Sequence, residues 1–323
     1  MAWSMPRTTY GVATEKGTKM ADLGREVTLE FIRVTEAAAL KASRWMGRGD
    51  KNAADQAAVD AMRGMLDLVN VRGKIVIGEG EKDQAPMLYI GERVGGGGLR
   101  DPDVDIAVDP IDGTTLTSRG LPNAISVIAV GNEGTLTSLP SYYTNKIAVG
   151  PQGKGSIDID APVQDNLERV AKAYGIGAAE LTAIVLDRPR HDNIIQEIRE
   201  TGARIKLISD GDVAGAIATA TEDSGVNILF GIGGSPEAVI SAAALKCLGA
   251  ELQVKIWTRD EEERQKILGM GYSEADLDRP YGTEDIAKGD SIIFCATGIT
   301  GGDFLPGVRY EGNLAITHSV AMR

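Results

Sequence analysis

The run Ile106-Ala107-Val108-Asp109-Pro110-Ile111-Asp112-Gly113-Thr114-Thr115 decides how this chain is read. Ile106, Ala107 and Val108 form an apolar stretch that reads as a buried strand. Two carboxylates three residues apart, a proline, a glycine and a hydroxyl follow it. Pro110 removes a backbone donor and Gly113 permits positive φ, so a sharp turn is expected at the end of the strand. Such a turn can aim Asp109, Asp112 and Thr114 at one point. Carboxylates about 4 Å apart repel by about 4 kcal/mol at an effective dielectric near 20. Hard divalent cations relieve that repulsion, and Mg²⁺ is usually held by one or two carboxylates together with substrate phosphate oxygens. The segment points to metal-dependent phosphate chemistry; its plain alternative is an Asx-type turn closing a strand.

Outward from this turn the pattern divides in two. Toward the N-terminus, Val27, Phe31, Val34, Ala38, Ala42 and Trp45 recur at helical spacing, predicting a helix over 25–46 that Gly47 and Gly49 end. A second helix, over 53–69, carries Ala54, Ala58, Met62, Met65 and Val69 on one face, with Asp55 near its first turn. Strands are expected at 73–78, 104–109, 123–130, 135–138 and 145–149. From about 165, strands at 182–187, 203–208, 226–230, 251–256 and 291–296 alternate with helices at 165–174, 191–201, 212–222, 236–247 and 259–268. That rhythm implies a mainly parallel sheet with helices on its faces. The expected fold is α/β: an α+β half over 25–160, an α/β half over 161–323, and a polar, mobile extension over 1–24.

Composition narrows the function. The 323 residues are 43% hydrophobic and 25% charged, as in a globular protein, and 40 of them are glycine. That glycine content, roughly 12% against a usual value of about 7%, favours tight turns and close backbone–ligand approach. A net charge of -12 and few aromatic residues argue against nucleic acid or an anionic membrane as partner. A phosphate substrate would therefore need cations and a local basic cluster. Cys247 and Cys295 lie in apolar contexts and read as reduced core residues of a cytoplasmic protein. With only His191 and His318 present, a histidine-rich metal site is excluded. No apolar run is long enough to cross a membrane, and no secretory leader is evident.

Three acidic clusters fall at predicted strand ends: Glu79/Glu81, Asp109/Asp112 and Asp210/Asp212. Ligand sites of open α/β sheets gather at the carboxyl ends of strands; any one cluster alone reads as a solvated turn, and the three together put one shared site on a level with that reading. Gly231-Ile-Gly-Gly-Ser-Pro-Glu237 follows an apolar strand and opens a helix, with Ser235 suited to the N-cap and Pro236 to the first helical position. The spacing is not that of a dinucleotide fingerprint, but its glycines admit an anion. Glu237 is either a ligand or a first-turn charge complementing the helix dipole. In Asp187-Arg-Pro-Arg-His-Asp192, Pro189 stiffens a loop from which Arg188 and Arg190 could grip a phosphate; a surface charge run is the alternative. His191 reads as a hydrogen-bonding residue at a helix start rather than as a base.

Together with Gly47-Arg-Gly-Asp-Lys-Asn52, Ile75-Val-Ile-Gly-Glu-Gly-Glu81, Ala85-Pro-Met-Leu-Tyr-Ile90, Asp210-Gly-Asp-Val-Ala214 and Ala296-Thr-Gly-Ile-Thr300, these motifs resemble the class II fructose-1,6-bisphosphatases of the GlpX type, within the lithium-sensitive sugar-phosphatase superfamily. The resemblance runs from about Arg25 to Arg323. It implies a layered fold with helices packed on two sheets, a dimer or tetramer, and hydrolysis of the 1-phosphate of fructose 1,6-bisphosphate in gluconeogenesis. It implies Mg²⁺ or Mn²⁺ at Asp55, Glu79, Asp109, Asp112 and Glu237. Implied substrate contacts are Asp112, Gly113 and Thr114, Tyr143, Arg188, Pro189 and Arg190, Asp210, Gly211 and Asp212, and Gly234. Lys51 matches a lysine at the reacting phosphate. Thr114 matches the catalytic hydroxyl, expected to orient or deprotonate the nucleophile with help from a carboxylate such as Asp55. Arginine stands at 188 where some relatives carry lysine, and Met322-Arg323 falls short of the family's usual C-terminal tail. Sedoheptulose 1,7-bisphosphate is the rival substrate, and a non-catalytic sugar-phosphate sensor is the rival class.

Overall fold

Strand residues here alternate between two apolar layers, which is why several strands read as unbroken apolar runs. In the computed structural model, which describes residues 25–80 and 87–323, β1 (Arg72–Ile77), β2 (Arg93–Val94), β3 (Asp103–Asp112) and β4 (Ile125–Asn132) lead to β5 (Tyr143–Val149). After these come β6 (Thr182–Leu186), β7 (Arg204–Ile208), β8 (Ile228–Gly234), β9 (Glu251–Trp257), β10 (Tyr281–Gly282) and β11 (Ile292–Gly298). A ribbon, β12 (Arg309–Glu311) and β13 (Leu314–Ile316), precedes β14 (Ser319–Met322). The expected extension 1–24 and Glu81 lie outside the described residues.

Among the described residues the strands form two six-stranded sheets, ordered β14-β11-β4-β3-β1-β2 and β10-β9-β5-β8-β6-β7. Helices fill three layers around them: α1 (Arg25–Ala42) and α2 (Lys51–Leu66) outside the first sheet, α3 (Thr114–Arg119) at its end, and α4 (Val163–Tyr174) and α5 (Asp192–Glu200) outside the second. Between the sheets lie α6 (Asp212–Ala218) and α7 (Ser235–Cys247), while α8 (Glu261–Gly269) follows β9. The layering is legible in the side chains. Ile106, Ile128 and Cys295 join the cluster under α1 and α2, whereas Ala107, Val127 and Phe294 face the middle helices. On the second sheet Leu229 and Ala148 face the middle, and Ile228, Phe230 and Ile147 face α4 and α5. Burying a side chain such as Phe31 or Phe294 contributes about 2–3 kcal/mol, and both are fully buried. The helix α7 is buried around most of its circumference, as a helix clamped between two sheets must be.

Several expectations change. The first helix ends at Ala42 and tightens into a 3₁₀ turn, Ser43–Trp45. The second begins at Lys51, because Asp50 accepts a hydrogen bond from the Ala53 N–H at 2.9 Å and caps it. No strand forms over 135–138; Leu136 makes only an isolated bridge to Ala287. The second sheet is mixed rather than mainly parallel: β6 runs parallel to β7 and β8, while β5, β8, β9 and β10 pair antiparallel. The sheets also do not follow the expected division near residue 160. The earlier strand β5 lies inside the second sheet, and the later β11 and β14 lie in the first. Cys295 is buried and Cys247 only partly so; both thiols are free, and burial pushes them up to about 12 and about 11.

Candidate active site

The decisive turn is built on a bulge. Asp109 pairs with Val127 and Asp112 with Ile125, so β3 spends an extra residue where Pro110 cannot donate to the ladder. The strand thus continues through Asp112 instead of ending at residue 109. The Asp109 Oδ1 accepts the Ile111 N–H at 3.0 Å, so the Asx-type turn is present as well. Gly113, at φ 96°, reverses the chain into α3. A Cβ there would lie 2.9 Å from Leu116 Cδ1, so both the backbone angle and the packing require glycine. At the start of α3, the Thr114 hydroxyl donates to the Ile111 carbonyl at 3.2 Å. The Thr115 N–H donates to Asp210 Oδ2 at 3.1 Å, and Lys51 Nζ donates to Thr115 Oγ1 at 2.8 Å. Lys51 and Asp210, 64 and 95 residues away from Thr115, therefore meet at the same helix start.

Glu79 lies two residues beyond the end of β1, the parallel neighbour of β3, and Glu237 lies in the first turn of α7. These acids share one electrostatic problem. Burial, then the Asp55 and Glu237 charges, pushes Glu79 up to about 7. Asp55 is raised by burial. Burial and then Asp112, Glu237 and Glu79 hold Asp109 well above the carboxylate range. Asp112 is raised by burial and by Asp212, although its Oδ2 accepts the Ala214 N–H at 3.1 Å. Glu237 is raised by burial and by Asp212, against the opposing pull of Lys146. Five carboxylates, from α2, the turn after β1, β3 and α7, are thus raised by burial, and all but Asp55 also by neighbouring acids.

The donor chemistry fits a hard divalent cation. Every candidate atom is a carboxylate oxygen, and the buried Glu237 Oε2 has no hydrogen-bond partner. A buried oxygen of that kind is costly unless something binds it. A Cβ on Gly234 would fall 1.9 Å from the same atom, so the glycine keeps the space for it. Among the described residues no three His, Cys, Asp or Glu side chains are drawn together as a formed ion site. The acids are neighbours rather than an assembled coordination shell.

Beside them opens a cleft of about 830 Å³, lined in part by Tyr143, Arg188, Arg190, Asp210, Asp212, Gly234 and Glu237. Its basic wall is ordered by His191, whose ring bridges two backbones: Nδ1 lies 2.7 Å from the Leu186 carbonyl and Nε2 accepts the Ile232 N–H at 2.7 Å. That arrangement fixes the neutral tautomer, and burial lowers the imidazole below its ordinary value. His191 is a brace, as expected. The two arginines are not equivalent. Arg190 donates Nε and Nη2 to the Ile232 carbonyl at 3.0 and 2.8 Å and lies 5.2 Å over the Tyr143 ring. Among the described residues Arg188 makes one hydrogen bond, to the neighbouring Asp187 carbonyl, and lines the cleft. Pro189 starts the 3₁₀ turn Pro189–His191 and is exposed. Gly211, at φ 80°, caps α6 and lines the cleft.

Two details differ from the expectation for 231–237. The strand β8 carries its glycines through Gly234, and Gly234 rather than Ser235 occupies the N-cap, with no side-chain capping bond. Ser235 Oγ instead meets Ser141 Oγ at 3.2 Å. One site residue is absent from the sequence reading altogether. Lys146, inside β5, donates to Asp212 Oδ2 at 2.6 Å with 3% of its side chain exposed. Its only signal was a lysine directly before the apolar run Ile147-Ala148-Val149.

Over residues 25–323 the chain matches the family described as bacterial fructose-1,6-bisphosphatase, glpX-encoded. It is 48% identical over 312 residues to fructose-1,6-bisphosphatase 1 class 2 of Escherichia coli strain K12, covering 93% of this chain and 91% of that protein. The class 2 enzyme of Shigella flexneri matches with the same identity and coverage. Among solved structures, an extragenic suppressor from Pyrococcus furiosus overlaps 60% of this chain and 67% of its own at 15% identity, with a TM-score of 0.28.

Proposed function

Since the chain belongs to the family of glpX-encoded bacterial fructose-1,6-bisphosphatases, we propose that it hydrolyses the 1-phosphate of fructose 1,6-bisphosphate, releasing fructose 6-phosphate and inorganic phosphate. We propose Mg²⁺ or Mn²⁺ as its ion, held by Asp55, Glu79, Asp109, Asp112 and Glu237. The observation that carries this reading is the set of carboxylates around the buried Asp112, the others half-buried, with Glu237 Oε2 left unpartnered, beside a cleft walled by arginine. When bound, such ions polarise the phosphate oxygens and favour ionisation of an attacking water.

The chain's own side chains supply the rest. Lys51 sits at the helix start where the scissile phosphate would lie and can exchange its Thr115 hydrogen bond for a phosphate oxygen, offsetting charge that builds up during displacement. Thr114 already donates its proton to the Ile111 carbonyl. Its oxygen therefore remains as an acceptor, which favours orienting the nucleophile over giving it a proton. Asp55, raised by burial, is the carboxylate proposed to take the proton away. Arg188 is suited to the distal phosphate, while Arg190 stacks on Tyr143 and holds the wall in place. Asp210, Gly211 and Asp212 present oxygens and bare backbone to the sugar.

Phosphate release measured with fructose 1,6-bisphosphate, sedoheptulose 1,7-bisphosphate and inositol 1-phosphate, each with Mg²⁺, Mn²⁺ or chelator, tests the proposal. Ion-dependent release, highest with the fructose ester, is expected. A preference for the seven-carbon ester would reassign the substrate. Release unaffected by chelator would remove the carboxylates from the chemistry, and no release from any ester would leave the sensor reading.

A further inference from the structure

The buried ammonium of Lys146 belongs to none of the roles above. Successive residues of β5 point to opposite faces, so Lys146 shares with Ala148 the face turned toward the middle helices. There Nζ meets Asp212 Oδ2 at 2.6 Å, with side-chain exposures of 3% and 10%. A Cβ on Gly233 would fall 2.0 Å from that Oδ2 and 2.9 Å from Nζ, so the pair rests against bare backbone of β8. Asp212 also lines the cleft. With Oδ2 tied to the lysine, Oδ1 is the oxygen left for a ligand.

An isolated buried ion pair is weak evidence for stability, because well-packed neutral residues of similar volume often serve as well or better. The surroundings supply another reason for this one. Asp112 Oδ2 accepts the N–H of Ala214, two residues beyond Asp212, at 3.1 Å, and Glu237 Oε2 rests against Gly234, the neighbour of the Gly233 that Asp212 touches. Left free, Asp212 would be one more carboxylate beside the ion-binding set. We propose that Lys146 is a positioning residue: it holds Asp212 out of the set formed by Asp109, Asp112 and Glu237 and reserves its second oxygen for a sugar hydroxyl. This rests on the metal-dependent sugar-phosphatase reading above.

The role has a signature that simple structural support lacks, because ion and sugar affinities should move in opposite directions. Lys146→Met removes a positive charge from the acidic site and releases Asp212. Mn²⁺ binding without substrate, followed by the paramagnetic resonance signal of the free ion, should tighten by on the order of a hundredfold, the scale of one unit charge acting on a divalent ion about 10 Å away at a dielectric near 20. The KM for fructose 1,6-bisphosphate should rise about tenfold, the scale of one lost hydrogen bond to a charged group. Lys146→Met/Asp212→Asn removes both charges and covers the case in which the single variant does not fold. It should bind Mn²⁺ much as the unaltered protein does while keeping the raised KM. If Lys146→Met loosens Mn²⁺, or the double variant regains the original KM, Lys146 has no such role. Failure of the unaltered protein to bind Mn²⁺ and release phosphate would instead overturn the functional reading together with this one. An unaltered protein that does both leaves Lys146 to be decided by the variants alone.

Discussion

Glu79→Gln should stabilise the ion-free protein at alkaline pH and do little at acid pH. Burial and the Asp55 and Glu237 charges raise this carboxyl from 4.5 to about 7. A rise of that size makes its ionised form about 3 kcal/mol less favourable in the folded chain than in the unfolded one. Well below 4.5 both states hold the proton and no penalty exists. Between 4.5 and about 7 the folded state keeps a proton that the unfolded state has lost, so stability falls as pH rises through that window. Above about 7 both are ionised and the penalty is complete. Glutamine mimics the protonated acid at every pH. In chelator, the variant should exceed the parent by less than about 1 kcal/mol near pH 5 and by about 3 kcal/mol near pH 8. At about 2 °C per kcal/mol for a chain this large, the alkaline Tm gain is about 6 °C. Thermal unfolding of both proteins across this range is the assay, and adding Mn²⁺ should erase or reverse the gain, since the amide is a poorer ligand. Parallel Tm–pH curves in chelator would refute the argument, because Glu79 would then ionise without cost.

Thr114→Ala should lower kcat by two or more orders of magnitude with KM little changed, roughly the scale expected for loss of a positioning contact to the nucleophile; steady-state kinetics would show it, and a near-normal kcat would remove Thr114 from the chemistry. Arg188→Ala should raise KM for fructose 1,6-bisphosphate about tenfold and for a monophosphate ester less, measured side by side. Gly234→Ala places a methyl 1.9 Å from Glu237 Oε2; it should abolish tight Mn²⁺ binding while leaving circular dichroism unchanged. His191→Leu strands the Ile232 N–H and the Leu186 carbonyl and should cost about 2–5 kcal/mol in denaturant unfolding. Because His191 is held below its ordinary 6.5 in the fold, its stabilising contribution is full above that value and is lost as pH falls below it, the reverse of Glu79.

The turn that carries the candidate site was legible because glycine and proline flank its acids. The segment 109–113 announces a turn by composition alone, and the bulge merely moves the strand end from 109 to Asp112. Glu237 likewise sits where the sequence motif puts it, at a helix start, whereas Lys51 is drawn into a helix expected to begin at 53. What stayed hidden depends on partners distant in the chain. The lysine in β5 meets an aspartate 66 residues away, and periodicity carries no trace of that pairing. Arg190 looked equal to Arg188 until the Ile232 carbonyl, 42 residues on, took two of its donors. Strand direction was misjudged for a related reason. A βαβ rhythm gives the order of elements along the chain, but β5 enters the second sheet from outside that rhythm and pairs antiparallel with both neighbours.

The helix layer between the two sheets has a kinetic consequence. Both sheets rest on α6 and α7, so neither can open far without exposing the apolar faces it shares with the other. The strand exchange across the sheets removes any seam at which one half could detach first. Amide protons of α7 should therefore exchange with solvent only when the whole chain unfolds, while those of α4 and α5, covered on one side, exchange through smaller openings. Fragments 25–160 and 161–323, produced separately, should fail to acquire protected amides until they are mixed.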